Sequence, residues 1–421
     1  MRRGIILAAV LAGFVARAWA GDDFDQPPIS YRTAEPANAV SRLQERIDAG
    51  TARLEHEKGF GHLRSVLAEL AIPISSQTLV FSKTSMQFER ISARNPRAVY
   101  FNDEAYVGFV RGGDVIEVSV ADPALGTVFY TLEQRPAERP VFQRRIDDCL
   151  LCHGGREPVH VIRSVYPDAD GQPIAAAGVV RVDPGTPHAR RWGGWYFTGE
   201  PVPEVSQANL IYREHGSSAV PVETDRPVGE RFRPERYLSP HSDLVAATVL
   251  VHQAAAHNAL TRASFDVRRA LHREAELNRE LAGAADRRWP STESVLEGSA
   301  AALVDQFLHR GEPAFTRPPI GSGGFAAEFT AMGPRDARGR SLRDLDLRTR
   351  TFRHPCSHLV YHESFATLPA ELRRRFWSRV GAILAGGEAA ARHGHLTAED
   401  RQAIREILLA TRPKGEEIWL E

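Results

Sequence analysis

The spacing of apolar residues changes along the chain, and each spacing predicts a different kind of structure. Residues 38–70 carry apolar side chains three and four positions apart, which is typical of amphipathic helices. After residue 73 the period shortens to two, the pattern of half-buried β-strands. The predicted strands cover residues 78–81, 98–101, 105–110, 115–120 and 127–132. Two glycines within residues 111–114 predict a hairpin turn between two of these strands.

The second half of the chain returns to helical spacing. The longest predicted helix covers residues 239–284, with Ser239 as its N-cap and Pro240 at its first position. Shorter helices are predicted over residues 297–309, 371–384 and 398–410, and Thr397 should cap the last of them. The whole pattern predicts an α+β fold, in which a helical N-terminal region and a helical C-terminal half flank a small antiparallel sheet.

The segments between the sheet and the long helix have weaker patterns. Residues 140–148 are predicted to form a short helix, and residues 159–166 and 174–182 to form a second hairpin. Residues 199–240 are rich in proline, glutamate and arginine without a clear period, which predicts a surface connection. The predicted divisions are a signal peptide (1–20), a helical region (21–75), a β-rich domain (76–198), a connecting segment (199–240) and a mainly helical domain (241–421).

The clearest chemical signal follows the predicted sheet, in the sequence Cys149-Leu150-Leu151-Cys152-His153. Cys-x-x-Cys-His is the spacing at which c-type haem is attached. Near a helix end, two thiols three residues apart face the same side, so both can bond to one porphyrin. The histidine that follows them is placed to supply a nitrogen to the iron. A glycine pair comes next, which can end the helix and let the backbone pass close to a flat ring.

Two cysteines at this spacing can also form a redox dithiol, half of a zinc site or a structural disulfide. The chain has only three cysteines, so a zinc site would lack partners. A thioredoxin-like dithiol is expected within a βαβ pattern, and no such pattern frames the motif. A disulfide that happens to precede a histidine remains open as an alternative.

The first twenty residues have the pattern of a secretory signal peptide. Arg2 and Arg3 precede an apolar stretch over residues 5–15 that is too short to span a bilayer. An Ala-Trp-Ala sequence ends at Ala20, so cleavage after Ala20 and a periplasmic or otherwise exported mature chain are expected. The arginine pair also fits a twin-arginine signal, but c-type haem is attached to an unfolded chain after export, which favours the general secretory route. Export in turn favours haem attachment over a cytosolic dithiol.

With these residues the chain resembles the c-type cytochromes, because Cys149, Cys152 and His153 match the family motif. The resemblance implies one covalently bound haem c, with His153 as the proximal iron ligand. It is local, since predicted strands flank the motif on both sides and the small cytochromes c are all-helical. Residues 339–345 and 355–357 also resemble a group of larger exported single-haem proteins, a likeness that implies no activity.

The ligand on the other side of the iron has several candidates. His252 lies in an almost wholly apolar part of the longest predicted helix, where a buried imidazole needs a partner such as iron, a carbonyl or a carboxylate. His241 is three turns away on the same face, so it and His252 cannot both bind one iron. Met332 lies on a proline-stiffened loop, which suits a thioether ligand. Met86 is expected to fill the core. His160, seven residues after His153, could face the haem pocket, but a histidine at a strand end is more often exposed.

Two further motifs carry weaker signals. Cys356, His358 and His362 lie close together in the chain and suggest either a second metal site or a buried free thiol beside scattered histidines. Residues 320–325 are rich in glycine but lack the Lys-Ser/Thr ending and the strand–helix frame of a phosphate loop. They are predicted to form a turn.

The charge balance narrows the range of partners. Basic and acidic residues number 53 each, and removing residues 1–20 takes away three arginines and no acid. A slightly acidic mature chain argues against nucleic acid or an anionic membrane surface as the main partner. No second apolar run is long enough to span a membrane. The partner should therefore be a redox protein or a small-molecule redox substrate.

Two functions remain after these exclusions. A single haem motif favours electron transfer by a six-coordinate iron. The chain of 421 residues is longer than a haem carrier needs, which favours a haem enzyme (oxidoreductase or peroxidase-like) or a small-ligand sensor with an open distal site. Electron transfer is the first expectation, and the residue opposite His153 decides between the two.

Overall fold

The structure, a computed structural model, describes residues 23–199, 206–222, 227–281, 284 and 286–412, so the predicted signal peptide lies outside the described residues. The helices are α1 (Ala39–Asp48), α2 (Leu63–Glu69), α3 (Asp147–His153), α4 (Val228–Arg231), α5 (Leu244–Glu280), α6 (Pro290–Phe307), α7 (Phe325–Ala331), α8 (Glu363–Ala366), α9 (Ala370–Ala385) and α10 (Ala398–Ala410). The strands are β1 (Thr78–Val80), β2 (Arg97–Phe101), β3 (Ala105–Phe109), β4 (Val115–Asp122), β5 (Gly126–Glu133), β6 (Phe142–Arg144), β7 (Arg163–Val165), β8 (Val179–Arg181), β9 (Trp195–Tyr196), β10 (Ile211–His215) and β11 (Ser218–Val222).

Seven strands form one antiparallel sheet in the order β6-β5-β4-β3-β2-β1-β9, which confirms the predicted α+β class. All five predicted strands are present, with ends within about two residues of the prediction. The sheet is larger than predicted because β6 and β9 extend it at its two edges. β7 and β8 pair as the predicted second hairpin, although each is shorter than expected.

The two faces of this sheet bury different cores, because alternate residues of a strand point to opposite sides. One face, which includes Tyr100 and Val107, packs with Leu43 of α1. The other face includes Phe101 and packs with Leu250 of α5. A third core joins the second half of α5 to α6, α9 and α10. The sheet therefore lies between the N-terminal helices and the start of the long helix.

The predicted helix over residues 140–148 is wrong in its first part. Phe142–Arg144 form β6, where Phe142 lies opposite Leu132 of β5 and is buried in the first core. The Phe142 N–H donates to Gln44 Oε1 at 2.8 Å. These contacts come from distant parts of the chain and outweigh the local pattern, so helix α3 begins only at Asp147.

The segment predicted to be a surface connection contains more structure than expected. Its described residues include the β10–β11 hairpin and α4. Tyr212, Phe232 and Tyr237 are buried, and the Tyr237 hydroxyl donates to Pro96 O at 2.8 Å. Single aromatic residues without a regular period anchor this segment, and periodicity does not detect such anchors. The division of the chain into domains stays a prediction.

Helix α5 begins later than predicted and has a different N-cap. Asp243, rather than Ser239, caps it by accepting the Ala246 N–H at 2.9 Å. The other carboxylate oxygen of Asp243 accepts the backbone N–H groups of Ser322 and Gly323 at 2.9 and 2.8 Å. The glycine-rich segment is therefore a turn, as predicted, and its amides are occupied by a carboxylate of the protein itself.

The remaining helical regions follow the prediction with small shifts. α6, α9 and α10 occupy the predicted segments, and Thr397 caps α10 by accepting the Asp400 N–H at 3.1 Å. The predicted N-terminal helical region is broken after α1, where Gly50 has a φ of 72°, a left-handed conformation common just past a helix end. Of the helices in the described ranges, none is both long and apolar enough to cross a membrane.

Candidate functional site

Helix α3 brings the three motif residues to one place beside the sheet. It follows the edge strand β6 directly, and Leu150 anchors it in the first core. The Gly154 N–H donates to Leu150 O at 2.8 Å and ends the helix at His153. Cys149 is half-buried and Cys152 is exposed. Both thiols and the imidazole line the same cavity, as their spacing predicts.

This cavity has a volume of about 440 Å³ and lies between the second face of the sheet, α3 and the first half of α5. Its walls are mainly apolar and include Val99, Phe129, Trp195 and Leu250. The volume falls within the range of about 300–1,000 Å³ that is typical of small-molecule and cofactor sites. The cavity thus has the volume and the apolar lining of a small-molecule or cofactor site.

Unusually exposed apolar side chains also line this cavity. Met86 is 45% exposed, Phe88 49% and Leu151 87%. Large apolar side chains that cluster at one opening indicate a surface that another apolar group covers. The group would have to be flat enough to lie against these side chains and still reach His153.

The imidazole of His153 is held by the backbone on one side. Its Nδ1 lies 2.9 Å from Val159 O, and the Val159 N–H donates to His153 O, also at 2.9 Å. Because a carbonyl can only accept, Nδ1 carries the hydrogen and Nε2 holds the lone pair. Burial lowers the pKa of His153 to about 4. At neutral pH the ring is therefore the neutral form that binds metals, and a backbone carbonyl sets its orientation.

The thiol chemistry argues against a redox dithiol. Burial raises the pKa of Cys149 to about 11, so its thiol is protonated at neutral pH. Reactive dithiols of the thioredoxin type depend on a thiol whose pKa is lowered by its surroundings. Cys149 and Cys152 are both free in the structure.

Cationic side chains line one part of the cavity. Arg97 lies on the second face of the sheet and pairs with Glu117 at 3.0 Å. Its guanidinium occupies the space above Gly108, where a Cβ atom would come within 2.8 Å of Arg97 Cζ. Lys83 and Arg163 line the same cavity. These three cations could pair with the carboxylates of a bound cofactor.

None of the three predicted distal ligands lines this cavity. His252 Nε2 lies 3.0 Å from Glu312 Oε1, so its partner is the carboxylate alternative. His241 precedes α5, and its backbone oxygen accepts a hydrogen bond from Gln77 at 2.6 Å. Met332 follows α7 and is 38% exposed. The sequence identified residues able to bind iron, but the fold places them elsewhere.

Two residues that the sequence analysis set aside do line the cavity. Met86 does not fill the core, and its polar neighbours at residues 83–85 were a signal against that expectation. His160 is buried rather than exposed, with 7% of its surface accessible. Its Nδ1 lies 3.3 Å from Ser119 Oγ, and its Nε2 has no partner among the described residues. Burial lowers the pKa of His160 to about 3.

The cluster at residues 354–362 lies away from this cavity. Cys356 is buried and free, and burial raises the pKa of its thiol to about 12. His358 pairs with Asp103 at 3.3 Å, and His362 Nδ1 accepts the Ser364 N–H at 3.1 Å. Within the part of the chain that the structure describes, no group of three or more His, Cys, Asp or Glu residues could hold a metal ion. These contacts favour the buried free thiol over a second metal site.

Comparison with known proteins gives no family assignment. No protein-family model, curated protein or solved structure matches this chain. The function is therefore inferred from the chain's own residues.

Proposed function

We propose that this protein is exported and carries one covalent haem c, attached through Cys149 and Cys152 with His153 as the proximal iron ligand. When bound, the haem supplies an iron that exchanges one electron between its ferrous and ferric forms. The observation that carries the proposal is the Val159 carbonyl, 2.9 Å from His153 Nδ1 on the wall of a cavity that both thiols also line. That contact leaves Nε2 as the nitrogen with the lone pair.

The cavity supports this proposal through its fit to a haem. Apolar walls suit the macrocycle, and the exposed Met86, Phe88 and Leu151 would lose contact with water against it. Arg97 and Arg163 would pair with the propionates, which need cations when partly buried. The neutral His153 is already in the protonation state of a ligand.

Electron transfer to a redox partner protein is the function that the cavity supports best, with Met86 as the sixth ligand. His160 also lines the cavity and its Nε2 has no partner among the described residues, so it is the other candidate for this position. Met86 comes from a separate segment and lines the same cavity. A haem held by histidine and methionine has a raised reduction potential, which suits a carrier.

The alternative is a haem enzyme or small-ligand sensor with an open distal site. The exposure of Met86, at 45%, favours this alternative because a ligand at the cavity rim is easily displaced. The two functions differ in coordination: a carrier with Met86 bound would react slowly with carbon monoxide, whereas an open site would bind it at once. Absorption spectra of the reduced protein with and without carbon monoxide distinguish them.

The attachment itself is tested by replacing both thiols. Cys149→Ala together with Cys152→Ala should leave no haem stain on the polypeptide after denaturing electrophoresis. Cys356→Ala is the matched control, because Cys356 is buried and does not line the cavity. The haem stain of this variant should remain. Persistence of the stain in the double variant would overturn the proposal.

The sixth ligand is tested with the two methionines that remain after export. Met86→Leu should remove the sulfur-to-iron charge-transfer band of the ferric protein, since leucine keeps the size and lacks the thioether. Met332→Leu should keep the band, because Met332 lies outside the cavity. A band that survives Met86→Leu would exclude Met86 as the ligand and leave haem attachment unaffected.

A further inference from the structure

A groove lies between the second half of α5 and α6, and the proposed haem function makes no use of it. Its volume is about 850 Å³. Short side chains of both helices form its floor, among them Ala263, Ala270, Gly298 and Ala302. Because these residues leave the space between the helices unfilled, the groove could hold a small molecule without displacing a side chain.

One end of this groove is cationic. Arg156, Arg262, Arg269 and Arg273 line it, against the carboxylate of Asp266. Glu274 lines the groove farther along α5, where its carboxylate accepts the Trp289 backbone N–H at 2.9 Å. Asp266 pairs with Arg156 at 3.2 Å and with Arg269 at 3.6 Å. The four arginines and two carboxylates that line the groove leave an excess of two positive charges. This excess does not change when Glu157, which pairs with Arg262, and Arg288, which pairs with Glu274, are counted as well.

Arg273 stands out among these cations. It is exposed on α5, one helical turn beyond Arg269, and makes no ion pair with any described residue. An exposed guanidinium beside a groove that already has excess positive charge favours an anionic ligand.

The other end of the groove is apolar. Leu277, Trp289 and Val295 line it. The Trp289 indole is fixed, because its Nε1 donates to Asn278 Oδ1 at 2.7 Å. Eight residues of α5 separate Arg269 from Leu277, or about 12 Å along the axis. The groove thus offers a cationic end and an apolar end separated by the length of a medium-chain molecule.

We propose that this groove binds an amphipathic monocarboxylate, with its carboxylate among Arg156, Arg269 and Arg273 and its apolar tail directed toward Trp289. A carboxylate matches guanidinium groups in charge and geometry. The aromatic wall and the floor of alanine and glycine match an unbranched hydrocarbon tail. This binding site is independent of the proposed haem.

The cationic end is also connected to His153. Arg269 donates to Arg156 O at 3.0 Å, and Arg262 pairs with Glu157 at 2.7 Å. These contacts hold the segment that leads to Val159, whose carbonyl fixes His153. No described residue lines both the groove and the proposed haem cavity, so binding in the groove does not require a haem.

Calorimetric titration of the exported holoprotein with decanoate tests the proposal. We expect saturable binding of one decanoate, and much weaker binding of decan-1-ol, which has the same tail without the charge. Arg273→Gln should weaken decanoate binding about tenfold, since one charge-assisted contact is lost. Gly298→Leu should abolish binding, because a side chain at this position enters open space in the groove without a clash.

Gly229→Leu is the matched control, since position 229 is also helical with open space around it and lies outside the groove. It should bind decanoate as the unchanged protein does. Equal binding of decanoate and decan-1-ol, or unchanged binding by Gly298→Leu, would overturn the proposal. So would the absence of saturable binding. Haem staining of the same samples reports the proposed function separately, because the heat of binding does not depend on a haem.

Discussion

The cavity beside α3 and the helical half of the molecule both bury histidines, but they use them differently. His153 bonds through Nδ1 to a backbone carbonyl, and a cavity of about 440 Å³ lies beside it. His252 is 3% exposed, and its Nε2 is bonded to the Glu312 carboxylate. His252 is the more deeply buried, but it does not line the cavity.

The difference between the two shows that burial alone does not make a histidine a ligand. A ligand needs one nitrogen fixed by a partner and the other next to open space. One nitrogen of His252 is fixed by the Glu312 carboxylate, but His252 does not line the cavity. Although burial alone would raise it, the contact with His252 holds the pKa of Glu312 well below its usual range. This pair therefore has a structural role.

Replacing His153 and His252 one at a time is expected to give the largest difference between the two regions. His153→Ala should abolish the normal absorption spectrum of the haem and leave the fold intact, because the residue lines a cavity. Absorption spectra and circular dichroism of the variant measure the two effects. A normal haem spectrum in His153→Ala would show that another residue binds the iron.

His252→Ala should have the opposite effect. It removes the imidazole partner of the buried Glu312 carboxylate, which keeps its two hydrogen bonds from Thr351, so a cost of about 1–3 kcal/mol is expected. Denaturant unfolding should show this decrease, while haem content and spectrum stay unchanged. Unchanged stability together with a changed spectrum would mean that His252, and not a residue of the cavity, is close to the iron.

The pH dependence of stability sharpens the same comparison. Burial lowers the pKa of His362 to about 4 and that of His309 well below its usual value. The unfolded chain therefore binds more protons than the folded one below pH of about 6.5. The free energy of unfolding should be highest above that pH. It should fall as the pH decreases, by up to about 1.4 kcal/mol per pH unit for each histidine.

His309→Asn checks this origin, since asparagine tolerates the left-handed φ of 53° at that position. Unfolding measured between pH 7 and 5 should show a smaller slope for the variant than for the unchanged protein. Identical slopes would assign the acid sensitivity to other groups.

The smallest effect is expected at Gly108, on the wall of the cavity. Gly108→Ala would push the Arg97 guanidinium away from Glu117, because the new Cβ would lie 2.8 Å from Arg97 Cζ. Arg97 can move, so we expect a loss of only about 1 kcal/mol and a small shift in reduction potential. Gly229→Ala, in open space, is the control. A larger effect of Gly229→Ala than of Gly108→Ala would contradict the role assigned to Arg97.

The sequence predicted the parts of this fold that depend on local pattern. Alternation located the five strands, and Thr397 was recognised as a cap from its position alone. The prediction from local pattern failed at β6, where the contact of Phe142 with Gln44 outweighs helical spacing. It also failed at the start of α5, where the cap is Asp243. The first error arises from a contact between distant residues. At α5 the predicted first turn is instead held by Gln77, whose amide donates to Ser239 O and His241 O at 2.7 and 2.6 Å.

The candidate site shows the same limit. Cys149, Cys152 and His153 are adjacent in sequence, so their spacing alone predicted that they meet. A residue that binds the other side of the proposed haem would come from elsewhere in the chain, and only the fold shows that Met86 lines the cavity whereas Met332 does not. Residue type alone identified methionines and histidines as candidates but could not distinguish between them.

Mass spectrometry of the protein exported from cells that attach c-type haem tests the central claim most directly. After proteolysis, the peptide that contains Cys149 and Cys152 should carry the mass of one haem, while the peptide that contains Cys356 should be unmodified. Free thiols or a disulfide on the Cys149–Cys152 peptide would contradict haem attachment.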